Sequence, residues 1–283
     1  MWVAASMIAN LKRIQNPFCA NAIGRFLRPL ALALAAILVV PLGLRADGGP
    51  ETLIRDGESF TYNVRWGLIP YVGRITISAE QLGSGPDAVL KVTTTTSTWG
   101  VARTLFTFDA RGESLYQAST HRLISSSEWS TYRNKVVKNS THFDYEKKQA
   151  TYTDEIHPEK SRVIPMPPGE PSDLILALIE TRFWNLKPGE SRDSLVIFQD
   201  QFYPLTIRPE DDPDYIVSSL GFFKAEVLVP RMEKTPPIGM FRKGSTVRVW
   251  IEQDDARHLP VRFEVGFRFG TGTASLIEYT PPK

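Results

Sequence analysis

The stretch from Phe241 to Phe269, FRKGSTVRVWIEQDDARHLPVRFEVGFRF, constrains the fold more than any other part of the chain. Val247, Val249 and Ile251 alternate with Arg248, Trp250 and Glu252. After the polar turn Asp254-Asp255-Ala256-Arg257-His258, Leu259, Val261, Phe263, Val265 and Phe267 alternate with Pro260, Arg262, Glu264, Gly266 and Arg268. Successive side chains of a strand point to opposite faces, so two such runs around a polar turn predict a β-hairpin. Trp250 stands on the otherwise polar face. Either both faces of the hairpin are covered, or one lines a cavity.

The same period recurs along the chain. Phe60, Tyr62, Val64 and Trp66 share one face of a first strand. A second runs through Ile75, Ile77 and Ala79 after the turn Gly67-Leu68-Ile69-Pro70, and Leu90 and Val92 lead into the β-branched run Thr93 to Thr96. Phe106 and Phe108 follow. From Ser119 to Tyr152 the pattern is polar yet strand-like, which predicts strands with one wet face at a sheet edge. The Pro-rich segment from Glu155 to Glu170 reads as a loop, and Glu210 to Asp214 as an acidic turn. Further strands are expected at Leu195 to Phe198, Tyr203 to Ile207, Phe223 to Val229 and Thr273 to Tyr279. One helix is predicted from Leu174 to Trp184, capped by Ser172 or Asp173, with Arg182 in its last turn where a cation suits the dipole. It is apolar nearly all round, so it should be buried against the sheet. The fold class that follows is mainly β: an antiparallel, strongly curved sheet or open β-barrel with one packed α-helix.

The first 46 residues differ from the rest. They hold Lys12, Arg13, Arg25, Arg28 and Arg45, no Asp or Glu, and the apolar run Leu30 to Leu44. A basic segment followed by a short apolar one predicts a secretory signal peptide, and Pro41 and Gly43 shorten the run further as a membrane span. An uncleaved N-terminal anchor is the competing reading. The expected organisation is therefore a leader over 1–46 and a single β-rich domain over 47–283, exported to the periplasm or cell envelope. The formal charge of +2 belongs to the leader: without its five basic residues, 28 bases face 31 acids. That removes the electrostatic reason to expect nucleic acid binding. Cys19, the single cysteine, also lies in the leader, so no disulfide or thiol chemistry is expected beyond it.

No motif announces catalysis. His121, His142, His157 and His258 are scattered without ligand spacing, so no metal site is expected, and no cofactor either. Asp211, Asp212 and Asp214 lack the glycine turn and distal Glu of a calcium loop. Asp254 and Asp255 sit on a hairpin tip, where adjacent side chains diverge. Ser125 to Ser127 have no nucleophile elbow. No catalytic residue is assigned. What remains is a surplus of aromatic residues in the strands and the pair Asp173 and Arg182 flanking the helix. Trp66, Asp173, Arg182 and Trp250 are the candidate ligand-binding residues, at the rim of a cavity of the kind that curved sheets enclose.

Three segments together resemble the exported bacterial family DUF3108. They are Glu58-Ser59-Phe60-Thr61-Tyr62-Asn63-Val64-Arg65-Trp66-Gly67-Leu68-Ile69-Pro70 with Gly73, the helix from Asp173 to Arg182, and Val249-Trp250-Ile251-Glu252-Gln253-Asp254-Asp255-Ala256-Arg257-His258-Leu259-Pro260-Val261. The region around His258 and Leu259 departs from the family's tighter turn. The resemblance covers about residues 58 to 280, implies export and a β-rich fold, and brings no catalytic residues. The expected function is a non-catalytic periplasmic binding protein for an apolar, amphipathic or lipid-like small molecule. The alternatives are an envelope module that pairs with another protein and, behind it, a hydrolase of envelope polymer. Membrane contact is expected only through an uncleaved leader.

Overall fold

The computed structural model describes residues 54–283 apart from 106, 133, 134 and 199. The expected leader over 1–46, with Cys19, lies outside the described residues, as does Phe106. The strands are β1 (Ser59–Trp66), β2 (Ile69–Leu82), β3 (Val89–Thr98), β4 (Phe108–Gln117), β5 (Leu123–Tyr132), β6 (Lys135–Asp144), β7 (Gln149–Asp154) and β8 (Arg162–Pro165). After them come β9 (Pro171–Asp173), β10 (Arg192–Phe198), β11 (Gln201–Pro209), β12 (Asp214–Ser218), β13 (Gly221–Arg231), β14 (Thr246–Glu252), β15 (Pro260–Phe267) and β16 (Gly270–Thr280). Among the described residues are two short helices, α1 (Gly100–Leu105) and α2 (Leu174–Glu180).

All the strands join one sheet in the order β8-β7-β6-β5-β4-β3-β2-β1-β16-β15-β14-β13-β11-β10-β9, with β12 paired to β13 beyond the end of β11. Every pairing is antiparallel except β9 with β10. The sheet does not close by backbone hydrogen bonds. It rolls up until one end lies over the other. Phe143 of β6 meets Phe202 of β11 edge-on at 6.3 Å, and the Arg162 guanidinium of β8 donates to the Asp200 carbonyl at 3.2 Å. At the start of β9, Tyr116 of β4 hydrogen-bonds both Ser172 and Asp173.

The interior follows from the alternation. Phe60, Tyr62, Ile75, Val249, Phe263 and Leu276 point inward and are buried. The hairpin of β14 and β15 has the expected phase, with a register shift after Trp250. Helix α2 fills the rolled sheet: Leu174 to Ile179 are all buried. Its regular turns end at Glu180 and a 3-10 turn, Thr181–Phe183, carries Arg182.

Several local expectations change. Strands β5 and β6 lie inside the sheet between β4 and β7, and the edge on that side is the four-residue β8, within the stretch read as a loop. The acidic turn ends earlier than expected because Asp214 opens β12, whose ladder to β13 uses Asp214 to Ser218. Helix α1 is short and has no amphipathic repeat to announce it.

Candidate functional site

Inside the roll, the inner faces of β3 to β6 face β9, α2 and β10 across a cavity of about 90 Å³. That is several times the space one water needs. Its walls are unlike each other. Thr94, Ser114, Ser126, Glu128, Asn139 and Thr141 line one side, with Val92 and Ala110 among them; Leu174, Ile175 and Ile197 line the other, with Asp173 at their edge. Cross-strand register explains the polar wall: Gly112 stands opposite both Thr94 and Glu128, and Glu128 opposite Asn139. Along the middle of β5 and the start of β6 the usual polarity is reversed. Trp129 and Val136, in the alternate phase, face outward and are exposed. Arg111, which also borders the cavity, is in that outward phase and pairs there with Glu113 at 2.6 Å.

Burial raises the Glu128 carboxyl above the ordinary range, and a hydrogen bond with Asn139 pulls it partly back. Buried polar groups are costly unless hydrogen-bonded. Thr96 Oγ1, buried on the same inner face, has no partner.

The four residues singled out in the sequence do not form one cluster. Asp173 borders the cavity. Its carboxylate caps α2, accepting from the Leu176 amide at 2.9 Å and from the Tyr116 hydroxyl at 2.8 Å. Burial, with the Asp173 charge beside it, holds the Tyr116 hydroxyl well above its usual range. Arg182 is instead committed to a buried ion pair. Its guanidinium donates to Glu58 through two bonds of 2.8 and 3.1 Å, both side chains are sealed from solvent, and Tyr279 donates to the same carboxylate at 3.1 Å. This clasp ties the end of α2 to β1 and β16. Trp66 packs at one end of the sheet, 6.1 Å from Phe267. A Cβ on Gly270, whose φ is +147°, would stand 2.8 Å from its ring. Trp250 lies on the outer face, 5% exposed, covered by Asp214, which accepts from its indole at 2.9 Å, and by Arg262. Both faces of the hairpin are thus covered, and the cavity lies elsewhere.

Glu58, Tyr279, Tyr116, Glu128 and Asn139 were not singled out from the sequence. Glu58 could have been: it shares the period-two phase of Phe60 and Tyr62. Tyr279 needs the partner strand, since it stands opposite Phe60 only through the β1–β16 register.

Glu180, at the end of α2, has its carboxyl pushed up to about 8 by burial and by Asp173, with Arg192 opposing. A carboxyl raised on folding stabilises the fold fully below its unfolded value, and that contribution is lost as pH rises to the folded value. Stability should therefore fall between the ordinary carboxylate range and pH 8, with Glu180 contributing up to about 1.4 kcal/mol per pH unit. Urea denaturation at a series of pH values should show a shallower fall in Glu180→Gln. An unchanged slope would place the titration elsewhere.

No hydrogen bond or ion pair joins any two of His121, His142, His157, Asp173 and Asp254. Among the described residues, no group of three or more His, Cys, Asp or Glu stands close enough to hold a metal ion. No described helix is long and apolar enough to cross a membrane.

Fold and cavity together define a rolled antiparallel sheet with a buried helix and a two-sided lumen. The chain belongs to the DUF3108 family, described as a protein of unknown function, which matches residues 61–277. Among solved structures it is similar to the beta-barrel-like protein of domain of unknown function DUF1849 from Brucella abortus. The identity is 7%, the TM-score 0.49, and the match covers 80% of this chain and 98% of that one. No curated protein matches.

Proposed function

We propose that this chain is an exported, non-catalytic binding protein whose lumen takes a small amphipathic ligand. The observation that carries the reading is the two-sided cavity, with hydroxyl, amide and carboxyl groups on one wall and α2 on the other. The carboxyls of Glu128 and Asp173 favour a ligand that brings donors, either an ammonium or hydroxyls, against β5 and β6, with its apolar part along Leu174 and Ile175. This sharpens the lipid-like expectation: the head group is recognised inside the fold. Export rests on the basic, acid-free leader and its short apolar run.

Calorimetric titration with octylamine and with octanoate tests the ligand class. Octylamine should bind and octanoate should not. Glu128→Gln should weaken octylamine about tenfold or more, since hydrogen bonds to charged groups contribute about 1.5–3 kcal/mol. Ser126→Phe should block binding. If neither compound binds and Ser126→Phe raises the melting temperature, the space is a packing void and the reading fails.

The rival reading, an envelope module that receives a partner strand, has weaker support. The edges left without a ladder partner are β8, four residues long and ending in Pro165, the three-residue β9 and one side of the five-residue β12. Edges this short resist strand addition.

A further inference from the structure

The turns at one end of the sheet carry apolar side chains that the fold leaves uncovered. Leu68 is fully exposed, Val101 and Leu105 are about three-quarters exposed, and Ile69, Tyr71 and Trp99 are exposed beside them. Register brings them to one place. Trp66 pairs with Ile69 across the first hairpin, Gly73 pairs with Thr98 at the end of β3, and Phe267 pairs with Gly270. Local contacts make the rim continuous: the Trp99 amide donates to the Val72 carbonyl at 2.9 Å, and the Gly67 amide to the Thr271 carbonyl at 2.8 Å. Val101 and Leu105, four residues apart, share one face of α1.

The charge of this rim is the second, independent observation. Segments 65–74, 97–105, 241–246 and 266–273 contain Arg65, Arg74, Arg103, Arg242, Lys243 and Arg268 and no Asp or Glu, in a chain whose 33 bases nearly balance 31 acids. Arg103 is matched by Asp109; the other five have no ion-pair partner among the described residues. Gly244 lies against Arg268, which brings the 241–246 loop to the same rim. The Arg74 guanidinium stands 4.4 Å over the Trp99 ring.

We propose that this end docks on an anionic lipid surface. Leu68, Val101 and Leu105 enter the head-group layer, Tyr71 and Trp99 sit at its boundary, and the basic residues meet phosphates. Apolar side chains flanked by Trp, Tyr, Lys and Arg suit the membrane interface, where each basic residue contributes about 1 kcal/mol. A protein partner is less well served: the patch is made of turn tips and a six-residue helix, without an unpaired strand edge to template a complex. The inference does not depend on the lumen reading or on the leader.

Flotation of the protein with vesicles tests it. Vesicles of phosphatidylglycerol and phosphatidylcholine in equal parts should carry the protein upward, pure phosphatidylcholine should carry little, and added salt should weaken the capture. Leu68→Asp with Val101→Asp should abolish it. Arg242→Glu with Lys243→Glu should reduce it by at least the fivefold per basic residue that about 1 kcal/mol each implies. These positions are exposed, so the variants should melt like the parent. Absence of capture by the anionic vesicles overturns the proposal, and so does capture that the Asp pair leaves unchanged. Vesicle-independent, saturable binding of a protein that the Asp pair removes would assign the rim to a protein instead.

Discussion

Replacing Arg182 with Ala should destabilise the protein by about 3–5 kcal/mol, the cost of leaving one charge of a buried pair without its partner. That is a large share of the 5–15 kcal/mol typical of a folded domain. The expectation comes from the geometry. Glu58 and Arg182 are both sealed from solvent and joined by two hydrogen bonds, and the Tyr279 hydroxyl and the Arg55 amide also donate to the carboxylate. Arg182 also lies 4.5 Å over the Phe183 ring, so truncation removes packing as well as charge. The double replacement Glu58→Leu with Arg182→Leu should recover much of the loss, because a buried ion pair is often no better than a well-packed apolar pair. Chemical denaturation of the two single variants and the double one gives the answer. A small effect of Arg182→Ala alone would mean that the clasp does not hold α2 in place.

Truncating Leu178 to Ala should cost about 2–5 kcal/mol, the range for large-to-small changes in packed cores. Leu178 is in the middle of α2 and has no exposure at all. A seven-residue helix is far too short to persist alone, so packing against the rolled sheet is what maintains it. Leu68→Ala, at a fully exposed turn, should change stability by less than about 0.5 kcal/mol. Thermal melts of the two variants side by side measure the contrast. Equal effects would contradict the placement of α2 inside the sheet.

The hairpin of β14 and β15 was legible because its apolar phase is unbroken for several residues on each side of a polar turn. Helix α2 was legible because a continuous apolar run between Pro171 and Pro188 leaves few alternatives. Strand β12 was not, since Asp214 reads as the end of an acidic turn until β13 supplies its ladder. The family could be read from three ordered segments, but the lumen could not. Ser126, Glu128, Asn139 and Thr141 look like a solvated face in sequence. Only the rolling of the sheet, which lays β9, α2 and β10 over them, makes that face interior. Arg182 was noticed for its place at a helix end, yet its partner Glu58 is 124 residues away, a pairing no local pattern reveals. Trp250 marked the polar face of the hairpin as unusual but left open whether it is covered or lines a cavity; Asp214 and Arg262 cover it.

The central claim, that the lumen is a binding site with a polar wall and an apolar wall, is tested most directly by amide and side-chain NMR shifts during titration with octylamine. Saturable shifts concentrated at Ser126, Glu128, Asn139, Thr141, Asp173 and Ile175 are the predicted result. Shifts confined to the exposed rim around Leu68 and Trp99, or none up to millimolar octylamine, would contradict it.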